Sequence, residues 1–229
     1  MRLLRVLEPV LLLVAPVVLV CCAVTGFGQT ALVSVLVALV AVVPFLVQLE
    51  WEHTRARDIM PVVVLAALAV ASRILLAPFP NFKPISAIVI LAGALFGRRS
   101  GFMTGALAAL VSNMYFGQGP WTPWQMYGLG MMGYLAGVCA ARGWFRHPWA
   151  VCVYGLIVAV GYGLLLDTYS IVGFLKPTSW QGVLAAYLAG IPVNISTVVS
   201  TVVFLALIYV PWERKLQRIK RKYGITSDL

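Results

Sequence analysis

Eight apolar runs, near residues 6–26, 30–49, 60–79, 84–97, 101–116, 124–141, 148–167 and 183–211, occupy most of this 229-residue chain. A water-soluble domain has no core large enough to hide them all. A helix rises about 1.5 Å per residue, so about 20 mostly apolar residues cross the hydrocarbon layer. There the helix must satisfy every backbone hydrogen bond internally. The runs therefore predict an all-α, polytopic membrane protein of eight spans. The fourth and fifth runs are short, roughly 20–25 Å by helix rise. They imply tilt against neighbours, or an end at water enclosed by protein. Composition agrees, with 62% hydrophobic and 10% charged residues against about half and a quarter in soluble domains.

The net charge of +10 does not form one basic face, which argues against nucleic acid as a partner. The cations fall in clusters between the runs. Arg2 and Arg5 precede the first span, Arg55 and Arg57 follow the second, Arg98 and Arg99 the fourth, and Arg142 and Arg146 the sixth. Arg214, Lys215, Arg218, Lys220, Arg221 and Lys222 follow the eighth. With alternating spans all of these lie on one side, leaving Lys83 and Lys176 opposite and Arg73 inside the third span. Removing one span breaks the partition. Positive loops stay inside, so both termini are expected in the cytoplasm. The N-terminus resembles a signal peptide but lacks a clean small-x-small cleavage site, and reads as an uncleaved first helix.

Chemistry-bearing patterns are sparse. Cys21, Cys22, Cys139 and Cys152 lie within apolar runs with no CxxC pair, and read as small packing residues rather than zinc ligands or disulfides. His53 and His147 fall on the inner side. No Walker A sequence, phosphate-binding glycine loop, HExxH motif or Ser–His–Asp set occurs. The expectation is a protein that is not an enzyme, has no cofactor or metal, and cannot hydrolyse ATP itself. An intramembrane enzyme acting on lipid or isoprenoid would need paired acids, or His and Cys, near the inner interface, and the carboxylates are scattered.

The outer loops are expected near 27–29, 78–83, 117–123 and 168–182. "APFPNFKP" (77–84), "SNMYFGQGPWTPWQM" (112–126) and "DTYSIVGFLKPTSW" (167–180) combine Pro, aromatics and hydrogen-bonding groups. An interfacial aromatic belt accounts for Trp121, Trp124 and Trp180 individually. It accounts less well for Asn81, Asn113, Gln118 and Gln125, whose amides need partners near the ends of apolar helices. A cavity with a ligand or ordered water would supply them.

Residues 59–212 resemble the substrate-binding S component of energy-coupling factor (ECF) transporters, six-helix membrane proteins that capture vitamins from outside. The resemblance rests on "MPVVVLAALAVASRILLAPFP", then "NFKPISAIVILAGALFGRRSGFMTGALAALVSN", then "GPWTPWQMYGLGMMGYLAG", and on "GIPVNIS" in a last span ending in a basic tail. The aromatic "FGQGPWTPWQM" loop looks most like the cobalamin-specific branch. The resemblance implies a six-helix S-component-like core at 59–212, preceded by two extra transmembrane helices within 1–58 and followed by a basic cytoplasmic tail at 213–229. The two extra helices depart from the family pattern.

The resemblance also implies roles. Substrate would sit between outer loops and outer helix halves, with Phe79, Asn81, Phe82 and Lys83 from the first outer loop of the core. Asn113, Tyr115, Gln118, Trp121, Trp124 and Gln125 come from the next, Asp167, Tyr169 and Trp180 from the last, and Asn194 from the final helix. Stacking on aromatics and hydrogen bonds from amides suit a corrinoid, and suit riboflavin or another vitamin as well. Arg73 lies about 9 Å below the outer end by helix rise, as a substrate or gating contact, partner of Asp167, or a snorkelling side chain. Asn194 follows Pro192, which allows a kink; it shapes the pocket floor or bonds a freed carbonyl. Small residues let helices approach closely in lipid, and Ala67 and Ala71 would dock on the membrane-embedded T component or pack within the monomer. The partners implied are the T component, two cytoplasmic ATPases and the bilayer. The basic tail reads as an anchor to anionic lipid. A non-transporting scaffold remains the other class, and it needs no ligand cavity.

Overall fold

Proline and glycine punctuate this chain where the helices turn. The computed structural model describes residues 56–175 and 179–225. The first two expected spans, with Arg2, Arg5, Cys21, Cys22, His53 and Arg55, and also Lys176, lie outside the described residues. Six α-helices follow in order: α1 (Ala56–Leu75), α2 (Ile85–Phe96), α3 (Arg98–Phe116), α4 (Thr122–Ala141), α5 (Pro148–Ser170) and α6 (Trp180–Tyr223). A π-helical turn, Ile171–Leu175, extends α5. No strand occurs among the described residues. The six helices coincide with the last six apolar runs, with ends that differ by a few residues except at the C-terminus of α6, which runs on to Tyr223.

Local chemistry sets the boundaries. Pro84 precedes α2, and Gly97 ends it with φ 99° before α3 begins at once. That left-handed φ suits a residue without a Cβ. The Arg98–Arg99 cluster, expected in a loop, therefore opens α3. Pro123 and Pro148 stand in the first turns of α4 and α5, where a missing N–H costs nothing. The Ser179 hydroxyl accepts the Gly182 N–H at 3.2 Å, and Gly224 closes α6 in the left-handed region. α6 is 44 residues long, roughly 66 Å by helix rise. It continues unbroken through Pro192 and Pro211 and through the tail boundary expected at residue 213.

α2 is the axis of the bundle, with every residue buried except Ala94. It touches each of the other five helices, and α1 packs on α3, α3 on α4, α4 on α5 and α5 on α6. α2, α3 and α4 meet through backbone rather than side chains. A Cβ on Gly133 would collide with the Gly101 carbonyl, and one on Gly93 would collide with the Gly133 carbonyl. Lipid supplies little apolar driving force, so such close dispersion contact is what holds helices together.

Polarity is inverted relative to a soluble protein. Ser86, Ser100, Thr104, Ser112, Asn113, Ser200 and Thr201 are buried, while Val63, Val64, Ile157, Leu164, Ile195 and Leu207 are exposed. Three helical stretches, Asp58–Leu75, Pro148–Leu175 and Trp180–Tyr223, are long and apolar enough to cross a membrane. This is the build of a membrane protein. α2 is apolar but too short to qualify, and it is enclosed by its neighbours.

Candidate functional site

The end of the bundle that joins α1 to α2, α3 to α4 and α5 to α6 carries a polar cavity of about 120 Å³. Its lining includes Arg73, Asn81, Lys83, Ser86, Gln125, Tyr162 and Asn194, with Ile85, Leu129 and Leu166 as apolar wall. The opposite end holds the basic turns and the C-terminal stretch of α6. There Lys220 Nζ donates to the Leu95 carbonyl at 2.6 Å, placing a cation at the negative end of α2.

The cavity is built from the α1 terminus outward. Arg73 Nη1 donates to Ser112 Oγ and, at 3.0 Å, to Asn113 Oδ1 on α3. Asn113 Nδ2 donates in turn to Thr122 Oγ1 at 3.1 Å and Gln125 Oε1 at 2.8 Å. Gln118 Nε2 donates to the Leu110 carbonyl at 2.9 Å, and its Oε1 accepts from Thr122 Oγ1 at 2.9 Å. The amides of the 112–126 segment are thus satisfied largely by one another, which corrects the expectation that Asn113 and Gln118 require a ligand or ordered water. Their network fixes the guanidinium and closes the α3–α4 turn.

Lys83 reaches the same place from the α1–α2 loop, where Asn81 adopts φ 58°. Its backbone carbonyl accepts from Ser200 Oγ at 3.0 Å. Its ammonium stands 4.7 Å from the Phe116 ring centroid, and the Arg73 guanidinium 4.9 Å from the same centroid. Burial, and then the neighbouring Arg73 charge, push the Lys83 ammonium below the usual lysine range.

The far wall comes from α5 and α6. Asn194 Nδ2 donates to Asp167 Oδ2 at 2.6 Å, so Asp167 pairs with Asn194 and not with Arg73. Asn194 likewise serves this carboxylate rather than a carbonyl freed by Pro192. Glycines make room for these groups. A Cβ on Gly190 would stand 2.6 Å from Asp167 Oδ2, one on Gly128 2.6 Å from Tyr162 Cδ2, and one on Gly163 would overlap Asn194 Oδ1.

Of the residues expected to bind substrate, Arg73, Asn81, Lys83, Gln125 and Asn194 line the cavity. Asn113 lies behind it, 1% exposed. Phe82 packs on Phe204 at 5.2 Å. Trp124 is 1% exposed and packs on Tyr169 at 5.4 Å, forming a small separate core. Phe79, Tyr115 and Trp180 point outward, at 57%, 66% and 72% exposure, and Trp121 is also exposed and does not line the cavity. Tyr162, Ser86 and Thr197 line the cavity without having been anticipated. The signal for Tyr162 was the glycine pattern of α4, which reads as helix contact but specifically accommodates this ring. Ala67 and Ala71 are exposed on α1, whereas Ala66 and Ala69 are buried.

Among the described residues, no group of His, Cys, Asp or Glu could hold a metal, and Cys139 and Cys152 are free thiols. No curated protein and no solved structure matches this chain. A family profile covers residues 53–221, and the protein therefore belongs to DUF6580, a family of unknown function.

Proposed function

We propose that the protein is a multi-pass cell-membrane solute-binding subunit of the ECF S-component kind, with eight spans and both termini in the cytoplasm. It captures its solute outside and delivers it inward with a T component and two ATPase subunits. The observation that carries this reading is the polar cavity at the end of the bundle away from the basic turns. A scaffold needs no such cavity. The outward Ala67 and Ala71, flanked by exposed Val63, Val64 and Leu68, support docking of a membrane partner on α1. The cycle is capture, toppling of the loaded subunit in the bilayer, and release inward at the expense of ATP bound by the partners.

Size bears on the solute. Pockets for drug-sized ligands run to about 300–1,000 Å³, and corrinoids are larger than most drugs. The cavity of about 120 Å³ favours a small polar guest over cobalamin or a flavin. Trp124 and Tyr169, two of the aromatics expected to bind substrate, pack on each other.

Single cysteines at Asn81 and Gln118, in a chain whose four native cysteines are replaced, test the orientation. Impermeant maleimide added to intact cells should label both. Labelling only after permeabilisation would refute the reading. Absorbance spectra of the purified chain separate corrinoid, flavin and colourless guests.

A further inference from the structure

The described lining of the cavity carries a net positive charge. Arg73 and Lys83 both line it, and no Asp or Glu is among the described lining residues. Among the described acidic residues, Asp58, Asp167 and Glu213, Asp167 is the one at this end, where it accepts from the lining residue Asn194. Lys83 makes no hydrogen bond or ion pair through its ammonium among the described residues; its contact is the Phe116 ring. Arg73 spends Nη1 on two neutral oxygens.

A third source of positive potential converges here. α2 begins at Ile85, and Ile85 and Ser86 line the cavity. No side chain caps this helix N-terminus. Its first N–H groups have no partner within the helix, and the helix dipole adds a partial positive charge. Arg73, Lys83 and the α2 N-terminus together resemble the way helix ends and cations hold carboxylates and phosphates elsewhere.

The rest of the wall defines the remainder of the guest. Ile85, Leu129 and Leu166 offer apolar surface, and Gln125, Tyr162 and Asn194 offer hydrogen-bonding groups. An enclosed cavity of about 150 Å³ accepts a benzene ring; this one, about 120 Å³ and open on one side, takes a charged head and the near part of a single ring, with the remainder at the mouth. We infer that the solute is a small organic anion, a carboxylate on a body no larger than one ring, with its charged head between Arg73, Lys83 and the N-terminus of α2. This rests on the cavity being the solute site proposed above. Burial, and then the neighbouring Arg73 charge, lower the Lys83 ammonium's proton affinity, and an entering anion offsets the repulsion between the two cations.

The test uses the full chain in lipid nanodiscs, titrated calorimetrically with benzoate, its neutral isostere benzamide, and benzylammonium. Benzoate should bind at least about tenfold more tightly than benzamide, and benzylammonium not at all, given what hydrogen bonds to a charged group contribute. Lys83→Gln should weaken benzoate about tenfold or more and weaken benzamide by much less, so that the preference for benzoate shrinks. Arg73→Lys, which keeps charge but loses the fork, provides a second variant that preserves a cation at the α1 terminus. Benzamide binding as well as benzoate, with Lys83→Gln without effect, would overturn the anion inference and leave the site standing. Binding that survives Leu129→Trp, which fills the cavity, or no binding by any of the three probes, would overturn both.

Discussion

Gly133 sits where three helices meet without side chains between them, and replacing it with alanine tests whether that contact holds the bundle. The added methyl would run into the Gly101 carbonyl oxygen and carbon, and its Cα at 2.8 Å. All three are backbone atoms, so no rotamer change relieves the clash. α3 and α4 must part, and α2 follows, because the Gly133 carbonyl already faces Gly93. Overpacking in a tight core costs about 1–3 kcal/mol, and a clash with backbone belongs at the upper end. At about 2–4 °C per kcal/mol for a chain of this size, the melting temperature should fall by roughly 6–12 °C. Gly161→Ala is the control. Gly161 lies in α5 with nothing within 4 Å of its Cβ position. Alanine there gains about 0.5–1 kcal/mol of helix stability, and melting should rise by about 1–4 °C. Both are read by intrinsic-fluorescence melting of the detergent-solubilised chain. Gly133→Ala melting at or above the wild type would refute the account of α2, α3 and α4 as a backbone-packed core.

Three further outcomes are expected. Asn194→Leu removes the donor to the half-buried Asp167 carboxylate and should cost about 1–3 kcal/mol, with Asp167→Asn in the same background restoring part of it in the melting curve. Ser179→Ala removes the acceptor for the Gly182 N–H at the start of α6 and should cost about 1 kcal/mol, visible as faster amide exchange confined to the first turn of α6. Lys83 has its folded-state pKa below the ordinary value, so the folded state disfavours the ammonium. The wild type should gain stability relative to Lys83→Met as pH rises from that lowered value towards the ordinary lysine pKa, and benzoate affinity should fall over the same range; a pH-independent difference between the two proteins would contradict the shift.

Much of the fold was legible in the chain because helices in lipid are written locally. Apolar length marks each segment, Pro84, Pro123 and Pro148 mark starts, and Gly97 and Gly224 mark stops. The buried serines and glycines of α3 are where the segment reading was weakest, since Gly, Ser and Asn lower apolarity there. That helix is enclosed by others and does not need to face lipid. α6 exceeded its apolar run for a related reason: its charged last turns remain helical, and the partly buried Trp212, Leu216 and Ile225 pack back on the core.

The site divides along a similar line. The chain by itself indicated which residues reach the end of the bundle away from the basic turns, because loop position follows from the order of segments and from where the cations lie. Only the tertiary structure decided which of them share a cavity. Asn113, Gln118 and Trp124 are at the right end of the bundle, yet their partners are Arg73, Leu110, Thr122 and Tyr169, contacts that depend on how α1, α3, α4 and α5 are rotated. Tyr162 joined the site because Gly128 leaves it space on a neighbouring helix. Helix rotation is set by close packing between distant segments, and a hydrogen bond forms only when that packing brings donor and acceptor within about 3 Å.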